Sequence, residues 1–347
     1  PPHHLTEQGL RFVVLEAAER IGQSWRSRWD SLNLFTPAPF SHLPGMACAA
    51  GSGRYQTKDE LAEYLEAYAA RFRLPVRLGC GVERLTRHDG QYLLTAGDHK
   101  VAAPHVVVAT GAFGAPFMPE FANALDPSIM QLHSSDYRNP DQLADGPVLV
   151  VGAGNSGAEI ALETAGRHET WLAGRDTGYV PFHMGTLTYR MMTKIPVNRW
   201  PGRAIAAAGT GRGHPLISVS PDDLSRVGVR RVPRVESADG GRPVLADGIC
   251  LDVANVIWST GYVPDYTWVD LPAFEPHHHP PTHRGVVCGE PGLYLLGLPF
   301  QATVASHLIG GVGKDAAYVV RRIVARSRSE AGAERRRRSP SDATAQH

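Results

Sequence analysis

The sequence predicts an α/β protein built on Rossmann-like, three-layer dinucleotide-binding units. Two observations carry this. Val148-Leu149-Val150-Val151 is an apolar, mostly β-branched run leading into Gly152-Ala153-Gly154-Asn155-Ser156-Gly157, after which Ala158, Ile160, Ala161 and Leu162 recur at helical spacing. That is a buried strand, a tight turn and a helix. Nearer the start, Arg11 to Leu15 reads as a second strand closed by Glu16. A carboxylate in that place takes ribose hydroxyls in a nucleotide-binding unit.

The glycine spacing has a physical reading. Gly152 allows the turn, Gly154 lets a pyrophosphate approach the backbone, and Gly157 lets helix and strand pack closely. Asn155 and Ser156 open the helix, whose N-terminus faces the phosphate charge. The next strand is expected over His168 to Ala173, with Arg175 and Asp176 just past it. An arginine there suits a 2′-phosphate, which favours NADPH over NADH.

Composition narrows the function classes. The chain has 347 residues, 43% of them hydrophobic, enough for about two domains with sizeable cores. A formal net charge of +1 points to no nucleic acid. No apolar run spans a bilayer and no secretory signal is visible, so no membrane partner and a reducing cytoplasmic location are expected. Cys48, Cys80, Cys250 and Cys288 are far apart and form no Cys-x-x-Cys, which disfavours a disulfide framework, a zinc ribbon or a redox dithiol.

Taken in order, residues 1–10 read as the tail of a helix that begins after Pro1-Pro2 and closes at Gly9. The glycine loop belonging with Glu16 is expected about 20 residues earlier, before residue 1. A fragment, a misassigned start and a degenerate relative are all open. Residues 20–45 are rich in aromatic and turn residues without clear periodicity, as in an ordered loop lining a site. Asp59 to Phe72 is an amphipathic helix capped by Thr57 with Glu60 three residues on. Val82–Thr86, Tyr92–Thr95 and Lys100–Ala102 form an antiparallel meander. Val106-Val107-Val108-Ala109-Thr110-Gly111 is a buried strand running into a small-residue turn that lets a ligand approach.

Further on, Thr186–Lys194 and Arg203–Ala208 are expected helices, with a loop over Gly209–Pro215. Val232–Leu245 returns to the sheet, and Asp252–Thr260 is a strand. His183, Met184, Met191 and Met192 read as core filling before a pocket. His277-His278-His279 with His283 reads as a surface loop, because it lacks second ligand pairs at helical spacing. Pro291–Leu298 is a strand ending in glycine, and Gly310-Gly311-Val312-Gly313-Lys314-Asp315 opens a helix to about Ala325. Residues 326–347, with Arg335 to Arg338, read as a disordered basic tail.

Several segments together resemble the flavin-containing monooxygenases, the single-component FAD and NADPH type, with CzcO-like bacterial flavoproteins and plant auxin-forming monooxygenases closest. Gly22-Gln23-Ser24-Trp25 is similar to their Gly-x-x-Trp, Arg28-Trp29-Asp30-Ser31-Leu32 to their Arg-Tyr-Asp-Ser-Leu, and Val107 to Gly111 to their strand-end Ala-Thr-Gly. His133-Ser134-Ser135-Asp136-Tyr137 matches the His-Ser-x-x-Tyr half of their fingerprint. The Phe-x-Gly half is replaced around Pro127 and Ile129, which bears on control of the flavin–NADPH interface and not on the fold. Ser259-Thr260-Gly261-Tyr262-Val263-Pro264-Asp265 resembles their second Ala-Thr-Gly-Tyr-x-Pro-Asp signature.

The resemblance implies an NADPH domain (141–255) inserted in a discontinuous FAD domain (1–140 and 256–325), followed by the tail (326–347). It places FAD against Glu16, Gly22, Ser24, Trp25, Arg28, Thr110, Gly111, Thr260, Gly261, Gly297 and Gln301. NADPH falls on Gly152, Gly154, Asn155, Ser156, Gly157 and Arg175. Asn33 and His133 are the candidate catalytic residues, and no metal is implied. The implied activity is FAD- and NADPH-dependent monooxygenation through a C4a-(hydro)peroxyflavin, with a small organic substrate and dioxygen as partners and a homodimer compatible. Peroxide production without substrate oxygenation, or an NADPH-binding remnant without FAD, are the alternatives.

Overall fold

The computed structural model describes all residues except 49, 50, 52, 182, 183, 213 and 339–347, with side chains also left out at 210–212 and 333–338. At its centre is a five-stranded parallel sheet in the order Met130–His133, Asn255–Trp258, Val148–Val151, Thr170–Ala173, Arg230–Val232. Val148–Val151 is central and buried at every position. Alternation then sends its side chains to both faces. Val148 and Val150 join one core with Ala158, Ile160, Ala161 and Leu172, while Leu149 and Val151 join another with Ala173, Val256 and Trp258. A sheet with two buried faces needs the continuous apolar run that the sequence shows. The helix Asn155–Thr164 covers the first face.

This sheet moves two expected boundaries. Met130–His133 precedes 141 and Asn255–Trp258 straddles 255, yet both are strands of the nucleotide-turn sheet. They flank Val148–Val151 in space, so the unit runs from about residue 130 to 258.

The second unit is built from separated segments. Val14–Leu15 pairs in parallel with Val76–Arg77, and Val106–Val108 pairs in parallel with Leu293–Leu295. The Arg11–Leu15 strand is shortened to two residues. A three-stranded meander, Arg84–His88, Gln91–Ala96 and His99–Ala103, packs beside it as expected. The helix Lys58–Arg71 carries the full capping box between Thr57 and Glu60. The two units are joined by two antiparallel linkers, Ala115–Pro116 and Tyr262–Val263.

Other expectations are adjusted. The first helix runs Pro2–Glu7, beginning one residue earlier than expected because proline is well tolerated in a first turn. Residues 33–37 form a strand paired with Tyr55–Thr57 where a loop was expected. The helix Gly202–Arg212 runs into the expected loop at 209, in keeping with its alanines. Val235–Asp239 and Arg242–Leu245 form a separate hairpin, and Arg230–Val232 is the strand that rejoins the sheet. The last helix extends over Val312–Arg338, so residues 326–338 are helical. Arginine, glutamate and alanine are good helix formers, and Ser327 ties this stretch to His105. Residues 339–347 of the expected tail lie outside the described residues, as does His183.

Candidate functional site

The glycine turn closes on the ends of two other strands. At Gly152 (φ +110°) an added Cβ would run into the Ser259 carbonyl, and at Gly157 into the Gly152 carbonyl. At Gly174 it would come within 2.8 Å of the Ala153 nitrogen. These glycines are therefore fixed by packing. Gly154 differs, because nothing lies within 4 Å of a Cβ built there. The middle glycine faces open space, as a backbone that receives a pyrophosphate must. Ser156 is exposed on the first turn of the helix, while Asn155 spends its side chain on the segment Pro215–Ile217.

Arg175 is exposed past the end of Thr170–Ala173 and holds no partner among the described residues. Beside it, the Arg231 guanidinium reaches the Gly174 carbonyl at 3.4 Å. Partial burial lowers the Arg231 pKa and Asp176 opposes that shift. No local pattern in the sequence singles out Arg231. Its signal is a charged three-residue strand, Arg230–Val232, too short and polar to show a period.

His133 is buried at the end of its strand. The Ser135 N–H donates to Nδ1 at 3.1 Å, which leaves Nε2 as the protonated nitrogen, and Nε2 donates to the Gly261 carbonyl at 3.0 Å. Burial holds its pKa below the usual histidine value. Bonded at both nitrogens, the ring ties the end of its strand to the Gly261 turn. Asn33 is exposed and donates to the nearby Ser31 carbonyl at 3.0 Å. No contact joins Asn33 to His133 among the described residues. Ile129 is buried in the sheet core.

The segment Arg28-Trp29-Asp30 bridges the two units. The Arg28 guanidinium donates to the Tyr262 hydroxyl at 2.5 Å and lies 5.4 Å from the Phe113 ring centre. Trp29 is buried in the nucleotide-turn core. The Asp30 N–H donates to the Arg138 carbonyl at 2.7 Å, and Asn139 donates to the Asp30 carboxylate at 2.7 Å. Arg28, expected on FAD, thus donates one hydrogen bond at the linker. Gly22 (φ +78°) is likewise explained by packing, since its Cβ would sit 2.9 Å from Ala62. Trp25 packs beside Leu61 and Tyr64, Ser24 is exposed, and Thr260 donates to the Phe117 carbonyl.

The remaining flavin residues lie at strand ends. Glu16 is exposed and accepts from the Ala18 N–H at 3.0 Å. Gly111, Gly261 and Gly297 have φ between +77° and +88° with nothing within 4 Å of an added Cβ. Thr110 and Gly111 line a cavity of about 170 Å³ with Gly114, Pro264, Asp265 and Trp268. Two buried oxygens, Gln301 Oε1 and Asp315 Oδ2, have no hydrogen-bond partner, although Gln301 Nε2 donates to the Leu295 carbonyl at 2.8 Å. Open strand-end glycines and orphaned buried acceptors fit a bound flavin nucleotide with its N–H and O–H groups.

All four cysteines are free. Among the described residues the one group with metal-ligand spacing is His3, His4 and Glu7, where both imidazoles already face the carboxylate. The histidines at 277–279 form no such group among the described residues. No described helix is long and apolar enough to cross a membrane.

A family profile described as pyridine nucleotide-disulphide oxidoreductase matches residues 2–178. The CzcO-like oxidoreductase of Geobacillus kaustophilus is 40% identical over 330 residues, covering 93% of this chain and 94% of that protein. A probable indole-3-pyruvate monooxygenase of Arabidopsis thaliana, YUCCA8, is 28% identical over 74% of this chain and 70% of its own length. The solved flavin-containing monooxygenase from Stenotrophomonas maltophilia superposes with a TM-score of 0.79 at 26% identity, covering 94% of each chain. The chain therefore belongs to the flavin-containing monooxygenases within the pyridine nucleotide-disulphide oxidoreductase family.

Proposed function

We propose that this chain oxidises NADPH and inserts one oxygen atom of dioxygen into a small organic substrate. The observation that carries the reading is the pairing of an open Gly154 backbone with an uncommitted Arg175 at the neighbouring strand end. One receives the pyrophosphate and the other the 2′-phosphate. FAD, when bound, supplies hydride acceptance and oxygen activation.

The chain's own residues do the rest. The Asn155–Thr164 helix N-terminus faces the phosphates, and Asn155 fixes the loop beside them. Glu16 offers its carboxylate to a ribose. Gly111, Gly261 and Gly297 leave room for the ring system and its backbone contacts. Arg28 and His133 hold the linker that sets one nucleotide against the other. These are positioning roles, as expected where the cofactor carries the hard chemistry.

The test is NADPH-driven oxygen consumption by the FAD-loaded chain across soft sulfur and nitrogen nucleophiles and ketones, with peroxide measured alongside. Substrate-dependent product with peroxide well below the NADPH consumed supports monooxygenation. Peroxide equal to NADPH with every substrate class replaces it with an oxidase.

A further inference from the structure

The insertion between the glycine-turn helix and the strand Arg230–Val232 carries a surface that the cofactor chemistry does not use. Residues 177–220 contain Arg190, Lys194, Arg199, Arg203 and Arg212, and no aspartate or glutamate. The first four are exposed and form no ion pair among the described residues. Interleaved with them are large apolar side chains in water: Trp200 is 85% exposed, Leu187 73%, Met191 58% and Ile205 39%.

The exposure is built into the packing. In the helix Thr186–Met192, Tyr189 is buried, stacks on Phe40 and donates to the Phe35 carbonyl at 3.2 Å. The side of the helix carrying Leu187 and Met191, one turn apart, is therefore left outward. Trp200 leads into the helix Gly202–Arg212, which is seated by Gly202 against the Pro196 carbonyl. Val197 donates to the Ala302 carbonyl and Val304 to the Ile195 carbonyl, both at 3.1 Å, anchoring the insertion to the flavin-side segment.

We propose that residues 186–205 dock the enzyme peripherally on an anionic phospholipid surface. An outward tryptophan among aliphatic side chains suits the headgroup layer, and unpaired arginines and lysine suit lipid phosphates. An isologous contact with a second copy would set these four unpaired cations against their own copies, which charge repulsion opposes. Through Ile195, Pro196 and Val197 the stretch is tied to residues 302–304.

The experiment is co-sedimentation of the FAD-loaded full chain with vesicles of phosphatidylcholine alone or with about one-third phosphatidylglycerol. Binding is expected only to the anionic vesicles and weakens as salt screens it. Trp200→Ser with Leu187→Ser, and separately Arg190→Gln with Arg199→Gln and Arg203→Gln, are each expected to lower the partition coefficient about tenfold. Flavin content and NADPH oxidation stay unchanged. No binding to anionic vesicles, equal binding to both compositions, or full binding by the charge variant overturns the proposal. So does a dimer in light scattering that dissociates in the apolar variant, which would assign the patch to self-association.

Discussion

Asn155 brackets Leu216 from the first turn of the glycine-turn helix: its Oδ1 accepts from the Ile217 N–H at 2.9 Å, and its Nδ2 donates to the Pro215 carbonyl at 3.1 Å. Leu216 itself is buried in the core on that side of the sheet. A residue expected on the phosphates thus fixes the neighbouring loop. Asn155→Ala is expected to cost about 1–2 kcal/mol, the usual worth of two hydrogen bonds with partly buried partners. Thermal unfolding should show the loss. Steady-state kinetics should show a raised KM for NADPH with little change in kcat.

Gly154 and Gly157 respond differently to side chains. Gly154→Val is expected to fold and bind FAD, with dithionite reduction intact and NADPH-driven reduction abolished, because the new methyls occupy the open space in front of the turn. Gly157→Ala places a methyl into the Gly152 carbonyl and is expected to lower yield or Tm sharply. Spectroscopic titration of each variant with both reductants checks this.

Arg175→Ala is expected to shift the balance of kcat/KM from NADPH towards NADH by about 1–3 kcal/mol, the range for a charge-assisted contact. Arg231→Gln should move it in the same direction by less, since that guanidinium also reaches the Gly174 carbonyl. An unchanged ratio in Arg175→Ala would remove that residue from the site.

Glu159, on the same helix, has its carboxyl pushed up to about 7 by burial, with a Ser218 hydrogen bond opposing. Its folded pKa lies above its unfolded value of 4.5, so between those values the native state binds more protons than the unfolded chain. That contribution to stability is lost as pH rises from about 4.5 to about 7. Glu159→Gln is expected to remove the decline and to gain on the order of 3 kcal/mol at pH 8, with little gain at pH 4. Denaturant unfolding of both proteins across that range is the measurement.

What could be read from the sequence was whatever a local pattern specifies. The run Val148–Val151 with its glycines and the Thr57–Glu60 capping box each announce an element within a few residues. Partners distant in the chain could not be seen. Nothing near Asn155 shows that its amide is committed some sixty residues away, nor does anything near Arg28 point to Tyr262. The bond from His133 to the Gly261 carbonyl likewise forms only where its strand meets a turn 128 residues away, and no local pattern shows it. The helix Pro221–Arg226 did carry a signal, the Ser220 to Asp223 capping box, in a stretch that lacks an apolar period.

Electron transfer from one nucleotide to the other is the centre of the account, and anaerobic mixing of the FAD-loaded chain with one equivalent of NADPH tests it most directly. The flavin absorption band is expected to bleach in proportion to NADPH, and more slowly with NADH. A band that persists with NADPH while dithionite bleaches it, or a purified chain that retains no flavin after incubation with FAD, would contradict it.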